Sequence, residues 1–381
     1  MTWQPRFSRL SVLAFAAVLF GFSYPTVAET PSLKDAYKGD FLIGTALDFR
    51  KPDEFNETEL ANIKSQFNVI TPENSMKPGE IHPAEDRWNW EMPDRLVQFC
   101  QDNHITVIGH CLVWHNQTAP WFFQGENGEP VTKEKALERM EKHIKTEVGH
   151  FKGKIKGWDV VNEAISDTNN AETAKTENLR TGRNAPWYQA IGPEYLTYAF
   201  KFAHEADPDA ELHYNDFNIE KGPKHQSSLV LLKRLIADGA PITAVGIQGH
   251  WSMNNLPYEE LDQAIDDYKA LGLKVMISEL DITMRGGGGG QLSGPGADGQ
   301  STRPAGPSEE RLKAQAEAFA KLFAIFRKHK DVITRVTFWG LNDQRSWRRG
   351  QYPLLFDAQN EPKPALQAIV DVAKNAPPAS N

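Results

Sequence analysis

Short β-branched or apolar runs recur along the chain at residues 41–47, 67–72, 105–114, 155–161, 211–215, 242–248, 273–279 and 333–339. Runs of that length flanked by turn residues read as strands covered on both faces. Between them, over 92–102, 133–151, 195–206, 226–237, 258–271 and 309–329, apolar residues return every three or four positions. Each such stretch predicts a helix with one apolar stripe. Strand and helix alternating through eight strands predict an α/β fold, a (β/α)8 barrel. No Pro/Ser-rich linker divides the chain, so a single barrel domain is expected over 29–381.

Two segments break this rhythm. Arg6 and Arg9 precede an apolar run from Val12 to Phe22, followed by Ser23-Tyr24-Pro25 and then Thr26-Val27-Ala28. A basic start, a short apolar run and small residues before a cut predict a signal peptide over 1–28 and a secreted protein, extracellular or periplasmic. The run is too short to span a bilayer, and no cysteine near the cut offers a lipid anchor. The second exception, 285–306, holds Gly286-Gly287-Gly288-Gly289-Gly290 and further Gly, Ser and Pro. That composition predicts a flexible loop after the seventh strand, either a lid over the barrel rim or an inert insertion.

Composition narrows the function. The 50 acidic and 42 basic side chains leave a net charge of -8, which argues against a nucleic-acid partner. With 10 Trp, 20 Phe and 9 Tyr the chain has core material enough to fold as a monomer without covalent staples. Two cysteines, Cys100 and Cys111, cannot build a disulfide framework and are read as buried thiols. His110, Cys111 and His115 resemble a ligand set. Adjacent strand positions face opposite ways, however, so neither a metal nor another cofactor is predicted.

Chemistry on such a barrel sits where the strands run out into loops. Glu163 ends the run Trp158-Asp159-Val160-Val161-Asn162 and Glu279 ends Val275-Met276-Ile277-Ser278. These are the fourth and seventh strands, so both carboxylates can face one cavity. Acetal cleavage needs such a pair, one to protonate the leaving oxygen and one to stabilise or attack the developing cation. Asp159 shares strand parity with Glu163 and is expected deeper in the barrel, in a structural ion pair.

These strand ends lie in segments that resemble glycoside hydrolase family 10, the retaining endo-β-1,4-xylanases. The segments are Thr71-Pro72-Glu73-Asn74-Ser75-Met76-Lys77, Gly109-His110-Cys111-Leu112-Val113-Trp114-His115 and Trp158-Asp159-Val160-Val161-Asn162-Glu163-Ala164. Gly246-Ile247-Gln248-Gly249-His250, Ile277-Ser278-Glu279-Leu280-Asp281-Ile282 and Thr337-Phe338-Trp339-Gly340 complete the set, with Trp347 beyond. The resemblance implies xylan and xylo-oligosaccharides as substrates, Glu163 as acid/base and Glu279 as nucleophile. It implies that Asn162 bonds the sugar 2-hydroxyl, His250 the nucleophile, and Asp281 that imidazole. Glu73, Asn74, Lys77, His110, Trp114, Gln248, Trp339 and Trp347 are then substrate-binding candidates, with Tyr214 and Asn215 candidates for the leaving-group side. Trp121, Trp187 and Trp251 read as packing under the loops. A β-glycanase acting on cellulose and an inactive sugar-binding barrel are the rival readings. The presence of both glutamates with Asn162 and His250 weighs against the second.

Overall fold

The computed structural model describes residues 1–2, 32–284 and 306–375. Contacts divide the chain into two units, Met1–Thr30 and Pro31–Asn381. The expected signal peptide lies, apart from Met1 and Thr2, outside the described residues, and so does the Gly-rich stretch from 285 to 305.

In the second unit strands and helices alternate in chain order: β1 Leu42–Leu47, α1 Glu57–Gln66, β2 Val69–Pro72, α2 Glu91–Asp102, β3 Thr106–Trp114 and α3 Lys133–His150. The order continues with β4 Gly157–Asn162, α4 Tyr195–Ala206, β5 Glu211–Asp216, α5 Gly222–Ala237, β6 Ala244–Ile247 and α6 Tyr258–Ala270. It ends with β7 Lys274–Thr283, α7 Glu309–Lys328, β8 Ile333–Phe338 and α8 Pro364–Lys374. Each strand pairs in parallel with the next, and β8 returns to β1 with Arg335 opposite Leu42. The sheet is a closed (β/α)8 barrel, as the strand count predicted.

The helices form because their apolar residues share one face. α2 buries Pro93, Leu96, Val97 and Cys100, three or four apart, against the barrel. Thr132 caps α3, its side chain accepting from the Lys135 amide, and Ala136, Met140, Ile144 and Val148 form the buried stripe. Ser308 caps α7, which carries Glu309 and Glu310 in its first turn and Arg327 and Lys328 in its last, each sign where the helix dipole favours it. Gly109 lets the Trp158 indole cross β3, since a Cβ there would overlap the ring. Cys100 and Cys111 are both buried and unpaired.

Two helices were not among those expected, and the first of them has no apolar stripe. α1, Glu-Thr-Glu-Leu-Ala-Asn-Ile-Lys-Ser-Gln, buries Glu59, Ile63 and Gln66; it is fixed instead by a capping box between Asn56 and Glu59. α8 opens on Pro364 and buries Ala365, Leu366, Ile369 and Val370.

Inside the barrel, Asp159 is buried and accepts from His110 Nδ1 at 2.9 Å and His213 Nδ1 at 3.2 Å, with Arg335 Nη2 at 3.5 Å. Burial disfavours its charge, but these partners outweigh it and hold the carboxyl well below the usual range. The expected ion pair is thus a four-residue cluster that supports His110 from below.

Candidate active site

Glu163 follows β4 immediately. Strand alternation alone would send Asn162 and Glu163 to opposite faces. Two local features bring both to one cavity. The register of β4 shifts between Asp159 and Val161, and Glu163 then turns into the left-handed region at φ 56°. Its amide donates to the Asn215 carbonyl at 2.8 Å and its own carbonyl accepts from Arg180 Nε at 2.8 Å. The carboxyl accepts from Trp114 Nε1 at 2.9 Å and Gln248 Nε2 at 3.1 Å. Burial, and then the negative charge of Asp216, push its pKa above the ordinary glutamate value.

Glu279 stands inside β7, which runs on to Thr283 rather than ending at 279 as expected. The extension arises because the sixth strand pauses at Gln248-Gly249 and resumes over His250–Ser252, pairing His250 with Asp281. Gly249 makes that pause at φ 80°, a conformation glycine adopts without a Cβ clash. Glu279 accepts from Asn215 Nδ2 at 2.7 Å and His250 Nε2 at 3.0 Å. His250 Nδ1 donates to Asp281 at 3.0 Å, and the same Asp281 oxygen accepts from Trp347 Nε1 at 2.9 Å. Burial works against a charged imidazole, yet Asp281 and Glu279 together lift the His250 pKa to about 9. Asn215 and Gln248 also donate to Asn162 Oδ1, at 2.9 and 3.3 Å, so a continuous set of amides links the two carboxylates.

One cleft of about 1020 Å³ opens above these groups. Glu73, Asn74, Lys77, His110, Trp114, Asn162, Glu163, Gln248, His250, Glu279, Trp339 and Trp347 all line it. On one side Asp48 accepts the amides of Asn74 and Ser75, and Lys77 donates to Asn74 and Gln117 at 3.1 and 3.0 Å while lying over the Trp114 ring. Burial and the neighbouring Asp48 raise Glu73 to about 7, against the opposing charges of Lys77 and Arg50. The cleft thus combines flat aromatic walls, side-chain amides and two carboxylates in unlike surroundings. Flat apolar faces with a few placed polar groups suit a sugar chain. Among the described residues no group of His, Cys, Asp and Glu is arranged to hold a metal ion.

The model of glycosyl hydrolase family 10 matches residues 32–372. The chain belongs to that family. It is therefore a glycoside hydrolase. It is 39% identical over 376 residues to a β-1,4-xylanase of Dictyoglomus thermophilum, covering 95% of this chain and 98% of that protein. A solved endo-1,4-β-xylanase from Caldicellulosiruptor owensensis has a TM-score of 0.79 at 36% identity, covering 90% of this chain and 99% of that one. A mutant of the intracellular xylanase of Thermoanaerobacterium saccharolyticum, solved with xylotetraose, matches at TM-score 0.78 and 34% identity, covering 90% of this chain and 98% of that one. The chain spans 47% of a longer relative, the endo-1,4-β-xylanase/feruloyl esterase of Xylanibacter ruminicola.

Within this family 10 barrel one candidate is misplaced. Tyr214 points away from the cleft: it is fully buried and its hydroxyl donates to Asp216 at 2.6 Å. Alternation along β5 explains this, since inward-facing Asn215 obliges its neighbour to face the helices. Asn215 does reach the centre, but it is fully buried beneath the carboxylates and positions them rather than a leaving group. Trp121 and Trp187 pack under the loops as expected, Trp121 against Phe122 and Trp187 edge-on to Phe123. Trp251 is also buried, donating to Glu220, yet one edge reaches the cleft. Gln117, Phe217, Lys221, Asn254 and Arg348, which line the cleft, were missed, as was Asp48, which holds the Asn74 loop from behind. All lie on loops where no periodicity marks them, and only the cleft reveals the shared direction of the first five.

Proposed function

We propose that this chain is an endo-1,4-β-xylanase that cleaves internal xylosidic bonds with retention of configuration. The observation that carries the reading is the pair of carboxylates at β4 and β7, one with its pKa raised and the other bonded to a histidine of pKa about 9, beneath tryptophan walls. Two carboxyls with unlike surroundings take unlike roles. Glu279 attacks the anomeric carbon while Glu163 gives its proton to the departing oxygen, leaving a covalent glycosyl-enzyme. Water then attacks that carbon, Glu163 takes up its proton, and Glu279 leaves. One cycle restores both groups.

Asn162 is assigned to the 2-hydroxyl of the attacked sugar, a bond that strengthens as the cation develops. Glu73, Asn74, Lys77, His110, Trp339 and Trp347 bind the chain on the side that keeps the new reducing end. His250, held by Asp281, keeps the Glu279 oxygens in position. The names of the relatives, a β-1,4-xylanase and a xylanase solved with xylotetraose, support xylan over other glycans. Reducing-sugar release from xylan, cellulose, mixed-linkage glucan and chitin tests the class. Release from xylan alone is expected, and cellulose hydrolysed at an equal rate would overturn the substrate. We also propose export, on the strength of the basic and apolar start up to Ala28. The N-terminal sequence of protein recovered outside the cytoplasm should begin at Glu29.

A further inference from the structure

Behind Glu163, away from the cleft, lies a charged cluster that the reaction scheme leaves unused. Arg180 is its centre. The guanidinium, nearly buried, donates from Nε to the Glu163 carbonyl at 2.8 Å and from Nη2 to Asp167 at 2.9 Å. The Arg180 amide donates to the Ala164 carbonyl at 2.8 Å. Lys224 Nζ lies 3.5 Å from the same Asp167 oxygen and 2.7 Å from fully buried Asp216.

Glu163 is not free to choose its backbone. A left-handed conformation at a residue with a side chain persists only where the surroundings over-determine it. From the barrel side, the Asn215 carbonyl fixes the Glu163 amide. From the outer side the Arg180 fork takes the carbonyl, and a planar fork bonded at two of its nitrogens fixes a direction as well as a charge. Rotating that peptide would swing the carboxyl away from Trp114 and Gln248, which hold it over the cleft.

We infer that Arg180, braced by Asp167, is a positioning residue that sets the direction in which Glu163 delivers its proton. The inference rests on the proposed role of Glu163 as acid/base. It differs from a general structural role in one respect: its loss should matter in proportion to how much the leaving group needs a proton.

The test compares kcat/KM on aryl β-xylobiosides with dinitrophenyl, nitrophenyl and phenyl leaving groups. Glu163→Ala is the reference, and is expected to show a steep dependence on leaving group. Arg180→Lys keeps the charge but loses the fork. It should lose about 10- to 100-fold on the phenyl substrate, part of what a positioned general acid supplies, and under about threefold on the dinitrophenyl one. Asp167→Asn, at an exposed position, should show the same slope more weakly, with about threefold loss on phenyl alone. A uniform loss across the series for Arg180→Lys, with Glu163→Ala still steep, overturns the inference and leaves the acid/base assignment standing. A flat series for Glu163→Ala overturns that assignment and the inference with it. Should Arg180→Lys fail to fold, a flat Asp167→Asn series overturns the inference.

Discussion

Glu147 on α3 is a carboxyl with nothing to bond. It is fully buried, and neither oxygen has a hydrogen-bond partner among the described residues. The nearest nitrogen, His143 Nε2 at 3.5 Å, is bonded to the Leu112 carbonyl at 3.1 Å. Burial pushes the Glu147 pKa well above its ordinary value, and burial with the neighbouring His82 lowers His143 to about 3. His143 is therefore neutral near pH 7, and Glu147 keeps its proton to a higher pH in the folded protein than in the unfolded chain. In the unfolded chain a glutamate gives up its proton above about pH 4.3. From there upward the folded state binds one more proton than the unfolded state. Stability falls by about 1.4 kcal/mol per pH unit until the folded pKa is reached, or about 2.7 kcal/mol over any two units inside this range. Glu147→Gln keeps the shape and removes the titration. The His143 contribution, which runs the other way below about pH 6.5, is common to both proteins and cancels in their difference. Denaturant unfolding of both proteins across this range checks it, and the variant should gain on the parent with the slope given. Curves that run parallel with pH would refute the reasoning, because Glu147 would then be as ionised inside the protein as outside it.

Three further outcomes are expected. Glu163→Ala should still cleave a dinitrophenyl xylobioside, accumulate a covalent intermediate visible by rapid-quench mass spectrometry, and release a β-glycosyl azide when azide is added; an α-configured product from the parent enzyme would exclude retention. Trp347→Ala removes both an aromatic wall and one of the donors to Asp281, so kcat should fall with affinity, and more on short xylo-oligosaccharides than on long xylan. Equal, negligible effects on both substrates would remove Trp347 from the site. Gly109→Ala forces a Cβ into the Trp158 ring and should destabilise the fold by about 3 kcal/mol in denaturant unfolding, with no specific change in substrate preference.

The barrel was legible because eight short apolar runs have one economical arrangement, and the patterned helices agreed with it. α1 was hidden because its stability rests on the Asn56 and Glu59 cap more than on an apolar stripe. At the site, period-two reasoning worked where strands stayed regular. On β5 it accounts for Tyr214, which could have been rejected by the same rule once Asn215 faced inward, whereas Asp159 lies in the barrel interior although the shift of β4 separates it from Glu163. It failed at Glu163, whose direction depends on a register shift and a left-handed turn that leave no mark in the residue pattern. Loop contributors such as Arg180 and Arg348 were invisible for a related reason. Their partners, the Glu163 carbonyl and Asp281, are distant in sequence, and one of them is a backbone atom.

The two thiols have a consequence for how this molecule is handled. Cys100 and Cys111 are unpaired, buried, and pushed by burial toward the unreactive protonated form. With no other cysteine in the chain, the folded protein has the covalent connectivity of a linear polymer. Refolding from denaturant then needs no oxidant, and a reductant that keeps both exposed thiols reduced in the unfolded chain removes the one bridge they could form. Reductants added to protect a reaction mixture have no crosslink to break, and the same fold is accessible in a reducing cytosol as in an oxidising medium.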